Sequence, residues 1–353
     1  MLPTKSYAAF DSKSPLRSYA FDRRDPRPHD VQIGIDFCGV CHSDIHQVRD
    51  EWGGSMYPMV PGHEIVGRVT ALGADVSKLK VGDLAGIGVM VDSCRECDNC
   101  KADLENYCQK QFVGTYNAKG YDGSITYGGY ANNIVCDMRY VHTLSPKFGE
   151  SSAKLAGVAP LLCAGITSYS PMRHWGAGPG KKVGVVGLGG LGHMGLKFAH
   201  SFGAHTVQFT TSERKVADAK RLGADEVVLS NDADAMAKHA ASFDFILDCV
   251  SAPHDLNAYL KLLKLDATLC LVGLSEEQLP VAPFSLTSYR VALAGSNIGG
   301  MKETQEMLDY CADHNIVSDV EVISIDRLGE AYERVVKQDV KYRFVIDMAT
   351  LKA

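Results

Sequence analysis

Residues 93–108 read SCRECDNCKADLENYC and bring four cysteines, Cys94, Cys97, Cys100 and Cys108, into one short stretch. The spacing is C-x2-C-x2-C-x7-C. Reduced cysteines this close can deprotonate and surround one tetrahedral Zn2+ with four sulfurs, the cation itself lowering their pKa values. A cage closed by four thiolates has no open position for a substrate, so the metal it predicts is structural. Disulfides are the competing reading. The chain has 11 cysteines, an odd number, and its N-terminus MLPTKSYAAFDSKSPL has no apolar core of signal-peptide length. That combination predicts a cytoplasmic protein with reduced thiols, and a metal cage in place of a disulfide framework.

A second group of metal-type residues is scattered. CGVCHSDIH supplies Cys38, Cys41, His42, Ser43, Asp44 and His46; PGHE supplies His63 and Glu64; LLCAG supplies Cys163. Taken singly, each has a bland alternative, a small buried cysteine or a satisfied histidine. Cys136, Cys249, Cys270 and Cys311 lie in apolar runs and read as core.

The third motif is Gly187-Leu188-Gly189-Gly190-Leu191-Gly192. It directly follows the apolar run Val183 to Val186 and opens a helical pattern, the context a dinucleotide-binding turn requires. The first glycine makes the turn, the second lets a pyrophosphate approach the backbone, and the third lets helix and strand pack closely. The helix N-terminus then favours the phosphate charge. The next strand ends in Thr210-Thr211-Ser212-Glu213-Arg214-Lys215. Small hydroxyls at Thr211 and Ser212, followed by the cations Arg214 and Lys215, suit a 2'-phosphate and predict NADP(H). Glu213 is the contrary signal, an acid able to bind free ribose hydroxyls; as a solvated charge at a helix start it has a simpler explanation.

These groups need elements to hold them. Up to about residue 150, short β-like runs (VQIGIDF, EIVGRVTALG, GDLAGIGVMV, GGYANNIVC) are broken by glycines and predict an irregular, strand-rich domain. From about residue 160, strands and helices alternate: KKVGVVG, then GLGHMGLKFAHSFGA; HTVQFTTS, then ERKVADAKRLGA; then DEVVLS, FDFILDCV, TLCLVGL and VALAGSNIG. Regular alternation predicts an α/β fold with a doubly wound parallel sheet of Rossmann type. YRFVIDM is a strand able to return to the first domain. The expected divisions are 1–160, 161–300 and 301–353. At 353 residues two domains are expected. A net charge of -6 gives no basic field for nucleic acid or anionic membrane, and no run approaches the roughly 18 apolar residues of a spanning helix.

Together the motifs CGVCHSDIHQ, YPMVPGHEIVGRV, APLLCAGITSYSP, GLGGLGHMGLKFA, GSNIGGMKETQEML and DVKYRFVID resemble the zinc-containing medium-chain alcohol dehydrogenases along the whole chain. The resemblance is to the cinnamyl alcohol dehydrogenase branch, particularly its bacterial NADP-dependent broad-range aldehyde reductases. It implies a GroES-like first domain and two Zn2+ per subunit. The catalytic metal would be held by Cys41, His63 and Cys163, with Glu64 behind it as an exchanging ligand and Cys38 not a ligand. Cys94, Cys97, Cys100 and Cys108 would hold the structural metal. Asp44 would fix the ring of His63. Ser43 would accept the alcohol proton and pass it through the cofactor ribose to His46 and solvent. His42 would sit near the cofactor phosphates and Arg343 at the pyrophosphate. Thr167, Val272, Ser296 and Ile298 would line the nicotinamide. Trp52, Val89 and Val113 would form a substrate pocket suited to aromatic or aliphatic aldehydes. The position that carries Asp in NAD-dependent members is Thr211 here. A homodimer joined by edge strands near VALAGSNIG is also implied. A zinc-free quinone or enoyl reductase would lack the Cys41, His63 and Cys163 set; an NAD-dependent alcohol or polyol dehydrogenase is the alternative against which the TTS turn and Trp52 argue.

Overall fold

The computed structural model describes residues 1–352. Two compact units form, one from residues 1–163 together with residues 299 onwards, the other from Ala164–Ile298. Among the described residues no single helix is long and apolar enough to cross a membrane.

In the first unit the central strand is Asp30–Val40. It pairs antiparallel with Ile65–Leu72, with Asn133–Asp137 and with Arg343–Asp347. Val31, Ile33 and Ile35 are buried while Gln32, Gly34 and Asp36 between them are partly exposed, so the first half of the strand is covered on one face; from Phe37 to Val40 every residue is buried. GDLAGIGVMV does not form one strand. It splits into Leu84–Ile87 and Met90–Asp92. At the break, a Cβ on Gly88 would lie 2.9 Å from the Leu162 carbonyl oxygen. The N-terminus, which carries no motif, is also ordered as the hairpin Leu2–Ala8 with Arg17–Arg23.

The return strand Arg343–Asp347 pairs Phe344 with Val40 and Ile346 with Cys38. That register carries Arg343 alongside Cys41, a juxtaposition that no local pattern in the sequence encodes.

The second unit is a six-stranded, wholly parallel sheet. Its spatial order is Glu226–Leu229, His205–Thr210, Lys182–Val186, Phe243–Asp248, Leu263–Leu271 and Ala292–Gly295. In chain order this is third, second, first, fourth, fifth, sixth, the doubly wound Rossmann arrangement. Val183, Val185, Phe209, Phe245, Leu247 and Leu269 fill its core. Three expectations need correction. The helix expected from Glu213 begins at Val216, preceded by one 3-10 turn over Glu213–Lys215. The fifth strand starts at Leu263, earlier than TLCLVGL. Cys249, read as core, is half-buried, because it follows the strand end and not its interior.

Candidate active site

The helix His42–Val48 starts at Cys41, and the Asp44 carboxylate folds back to accept the Cys41 N–H at 2.9 Å. This is a capping interaction, but here the capping acid does more. Asp44 is fully buried, and its Oδ1 lies 3.2 Å from His63 Nδ1. The Tyr130 hydroxyl donates to Oδ2 at 3.1 Å, and the Gly62 N–H donates to Oδ1 at 3.3 Å. With Nδ1 held by a carboxylate, His63 Nε2 is the free lone pair of the ring. It lies 3.3 Å from Cys163 Sγ, and Cys163 Sγ lies 3.9 Å from Cys41 Sγ.

Donor atoms of Cys41, His63, Glu64 and Cys163 all fall within 4.8 Å of one another. Two sulfurs at about 2.3 Å from a tetrahedral zinc lie about 3.8 Å apart, so the Cys41–Cys163 separation fits one edge of such a site. The Cys41 thiol is held well below the usual thiol range by the Cys163 sulfhydryl, with the Arg343 guanidinium assisting against burial. Two sulfurs, one imidazole and an adjacent exchangeable position make an open zinc site.

Glu64 lies behind these donors. A Cβ on Gly39 would come 1.9 Å from Glu64 Oε2, so the glycine of CGVC is required to make room for the carboxylate. Burial pushes Glu64 up to about 7, against the pull of the Arg343 guanidinium. Its Oε1 accepts from Arg343 Nη2, while Oε2 and Arg343 Nε take no hydrogen bond among the described residues. Arg343, expected at the cofactor pyrophosphate, is therefore buried on Glu64.

Ser43 and His46 share the helix face opposite Ile45 and Val48. Ser43 Oγ accepts from Cys41 Sγ at 3.6 Å. The His46 ring is stacked between His42 at 4.7 Å and Trp52 at 4.9 Å, and its Nδ1 lies 2.5 Å from Glu51 Oε2. The Glu51 contact was not read from sequence; its only signal is an acid five residues from His46. Burial lowers the pKa of His42, with His46 adding repulsion. Trp52 is 43% exposed. Met90 pairs with Gly114 and the Thr115 N–H donates to the Val89 carbonyl, which brings together the two short segments that carry Val89 and Val113.

The other cage is local. Cys94 Sγ and Cys100 Sγ are 3.9 Å apart, and all four sulfurs of Cys94, Cys97, Cys100 and Cys108 fall within 4.8 Å of one another. Backbone N–H groups of Cys94, Cys97 and Cys100 point at the sulfurs of Cys108, Cys94 and Cys97. The Cys100 N–H draws Cys97 down to about 6, whereas burial pushes Cys100 up to about 12. Four thiolates at these separations repel unless a cation lies among them, and the donor set is one that zinc prefers.

In the second unit, Gly187 takes φ +85, and a Cβ on Gly192 would lie 1.9 Å from the Gly187 carbonyl oxygen. Gly189 faces open space. Gly190 and Leu191 complete the turn into the helix Gly192–Ser201, and the Leu191 carbonyl accepts from Ser168 Oγ at 3.1 Å. Lys215 Nζ donates to the Leu188 carbonyl at 2.9 Å, which fixes its ammonium beside the turn. Thr211, Glu213 and Arg214 are exposed, and Ser212 is half-buried. Thr167 is buried on the helix Ala164–His174. Val272 and Ser296 follow the carboxyl ends of the fifth and sixth strands, where ligands of open α/β sheets bind. Ile298 takes φ +42, an uncommon backbone for a β-branched residue.

The profile described as Alcohol dehydrogenase GroES-like domain matches residues 27–146, and that described as Zinc-binding dehydrogenase matches residues 190–313. Aldehyde reductase YahK of Escherichia coli (strain K12) is 56% identical, over 98% of this chain and 99% of that protein. NADP-dependent alcohol dehydrogenase C 1 of Mycolicibacterium smegmatis is 52% identical, over all of both chains. The solved structure of a cinnamyl alcohol dehydrogenase from Sorghum bicolor, SbCAD4, superposes with a TM-score of 0.94 at 42% identity, covering 99% of each chain. The chain belongs to the zinc-containing medium-chain alcohol dehydrogenases, as its motifs imply. It is an oxidoreductase of the cinnamyl alcohol dehydrogenase branch, with a GroES-like unit and a Rossmann unit.

Proposed function

We propose that this chain interconverts aldehydes and primary alcohols of aromatic or aliphatic type with NADP(H), using one catalytic and one structural zinc per subunit. The observation that carries the reading is the open donor set Cys41, His63 and Cys163, fixed through Asp44, in a chain that also bears the glycine turn. Bound zinc supplies Lewis-acid stabilisation of charge on the substrate oxygen, and NADPH supplies the hydride.

The chain's own residues do the rest. Cys41, Cys163 and His63 hold the metal, and Glu64 stands by as an exchanging ligand whose charge Arg343 balances. Ser43 donates its hydroxyl proton to the substrate oxygen during reduction and withdraws it during oxidation. His46 resupplies that proton, and Glu51 at Nδ1 sets which ring nitrogen faces the relay. Gly187, Gly189, Gly190, Leu191 and Gly192 receive the pyrophosphate, joined by His42. Thr211, Ser212, Arg214 and Lys215 receive the 2'-phosphate. Thr167, Val272, Ser296 and Ile298 border the nicotinamide, and Trp52, Val89 and Val113 the substrate. The exposed edge strand Ala292–Gly295 pairs two copies into a dimer, and the 11 cysteines, none of them in a disulfide among the described residues, suit the cytoplasm.

Initial rates with benzaldehyde, an aliphatic aldehyde and a sugar alcohol, each with both nicotinamide cofactors, test the reading. Aldehyde reduction with NADPH preferred is expected. Ser43→Ala should retain zinc and cofactor but lose turnover by roughly 10²- to 10⁴-fold. Turnover confined to NAD and the sugar alcohol would overturn the proposal.

A further inference from the structure

Asp248 is the last residue of the fourth strand, in register with Val186 at the end of the first. These two strands are neighbours in space but not in sequence, so Asp248 stands at the point where the strand order reverses. Open α/β sheets bind their ligand there. Its carboxylate is fully buried. Oδ1 accepts the Val250 N–H at 3.0 Å, and Oδ2 lies 2.6 Å from His254 Nε2. The other ring nitrogen, His254 Nδ1, lies 2.9 Å from the Ala252 carbonyl oxygen.

Both partners of this imidazole are acceptors. A neutral ring has one N–H and serves one of them; the imidazolium serves both. The geometry therefore calls for a protonated His254. The turn it closes is wedged tightly. A Cβ on Gly187 would come 2.8 Å from Val250 Cγ2, and one on Gly273 would come 2.4 Å from the Val250 carbonyl oxygen. The Cys249 N–H also donates to the Val186 carbonyl. Residues 249–254 are thus the wall against which the glycine turn is built.

We propose that His254 is a positioning residue for the dinucleotide: its imidazolium clasps Asp248 and the Ala252 carbonyl, and holds the 249–254 turn against Gly187. The proposal rests on the cofactor reading above. The groups facing the clasp are Asp248 on the strand, Asp255 at the start of the following helix, the Tyr259 ring packed edge-on from that helix, and the Cys249 and Cys270 thiols beside Asp248. The carboxylates favour the charged ring, and Asp248 raises the His254 pKa above its ordinary value. The clasp is accordingly complete at low pH and is lost as pH rises through that raised value. Cofactor affinity should fall with it.

Fluorescence titration of the zinc-loaded protein with NADH and NADPH from pH 6.5 to 9 tests this. NADH is included because it lacks the 2'-phosphate, whose own titration lies at about 6. In the wild type, affinity for both should fall by roughly tenfold across the range, the size of a lost charged hydrogen bond. His254→Gln should be weaker by a similar factor at pH 6.5 and flat with pH. His254→Arg, charged throughout, should also be flat but stay tighter than His254→Gln at pH 9. A wild-type slope retained in both variants, or His254→Gln matching wild type at every pH, would overturn the clasp alone. A wild type that binds neither dinucleotide would overturn the cofactor reading as well.

Discussion

The Tyr130 hydroxyl reaches Asp44 Oδ2 over 3.1 Å, and through that carboxylate it acts on the ring of His63. Tyr116 stacks on the same ring, with centroids 5.8 Å apart. Asp44 thus serves the Cys41 cap, the Gly62 turn and a metal ligand at once. Asp44→Asn should weaken zinc binding by roughly 10- to 100-fold, the usual cost of disturbing a ligand's partner. Tyr130→Phe acts one bond further away and should weaken it several-fold. Chelator competition on purified protein measures both, and a Tyr130→Phe protein as retentive as wild type would remove Tyr130 from this role.

The two cages should fail differently. Cys163→Ala opens the set at Cys41 and His63 and should abolish turnover while leaving the fold largely intact, with zinc per subunit falling from about two to about one. Cys100→Ala breaks the closed set and should lower thermal stability and solubility first. Metal analysis and thermal melts of both variants decide it. A fully stable Cys100→Ala together with a fully active Cys163→Ala would reverse the assignment.

Thr211 is exposed at the end of the second strand of the Rossmann sheet. Thr211→Asp should move preference from NADPH toward NADH. Two unit charges about 4 Å apart interact by about 4 kcal/mol at an effective dielectric near 20. Even a third of that, after screening, costs roughly tenfold in NADPH affinity. Arg214 and the Lys215 ammonium beside Leu188 remain, so a shift and not a reversal is expected. The measurement is kcat/KM for each cofactor at fixed ionic strength. A wild type that already prefers NADH would point to Glu213 as the ribose-binding acid.

His142 is buried in the first unit, and burial, with Lys78 adding repulsion, takes its pKa from 6.5 down to about 3. Between those values the unfolded chain binds a proton that the folded one refuses. Stability therefore falls as pH drops from about 6.5 towards 3, by on the order of 4 kcal/mol at the acid end. Urea unfolding at stepwise pH should show a shallower acid loss in His142→Phe than in wild type. Identical slopes would mean that other groups, the metal-binding residues among them, account for the whole loss.

The motifs that sequence revealed are those whose partners are close along the chain. The cysteine cage and the glycine turn depend on spacings of a few residues, so type and spacing suffice. The strand series of the Rossmann unit was equally plain, because apolar runs and glycine breaks mark each element. The alignment of Arg343 with Cys41 was not, since it follows from the register of a strand that returns from the far end of the chain. The need for Gly39 beneath Glu64, the Tyr130–Asp44 bond and the Glu51–His46 contact depend on side-chain directions that only packing decides. Arg343 shows the limit most clearly. The family resemblance led to a phosphate, while the folded chain holds its guanidinium against a carboxylate.

The two cages also differ in how much chain each must gather. Cys94 and Cys108 are separated by 14 positions, whereas Cys41 and Cys163 are separated by 122. Loop closure grows costlier by about 0.6 kcal/mol for each doubling, and the longer span must also await the central sheet that sets Cys41 beside His63. During synthesis or refolding, the local loop is ready to capture metal as soon as it is made. The distant donors are ready only once the unit has formed. Under zinc scarcity the first ion therefore goes to the loop, and the population that accumulates is well folded, resistant to proteolysis and inactive. Adding zinc back should restore turnover without any further change in the fold.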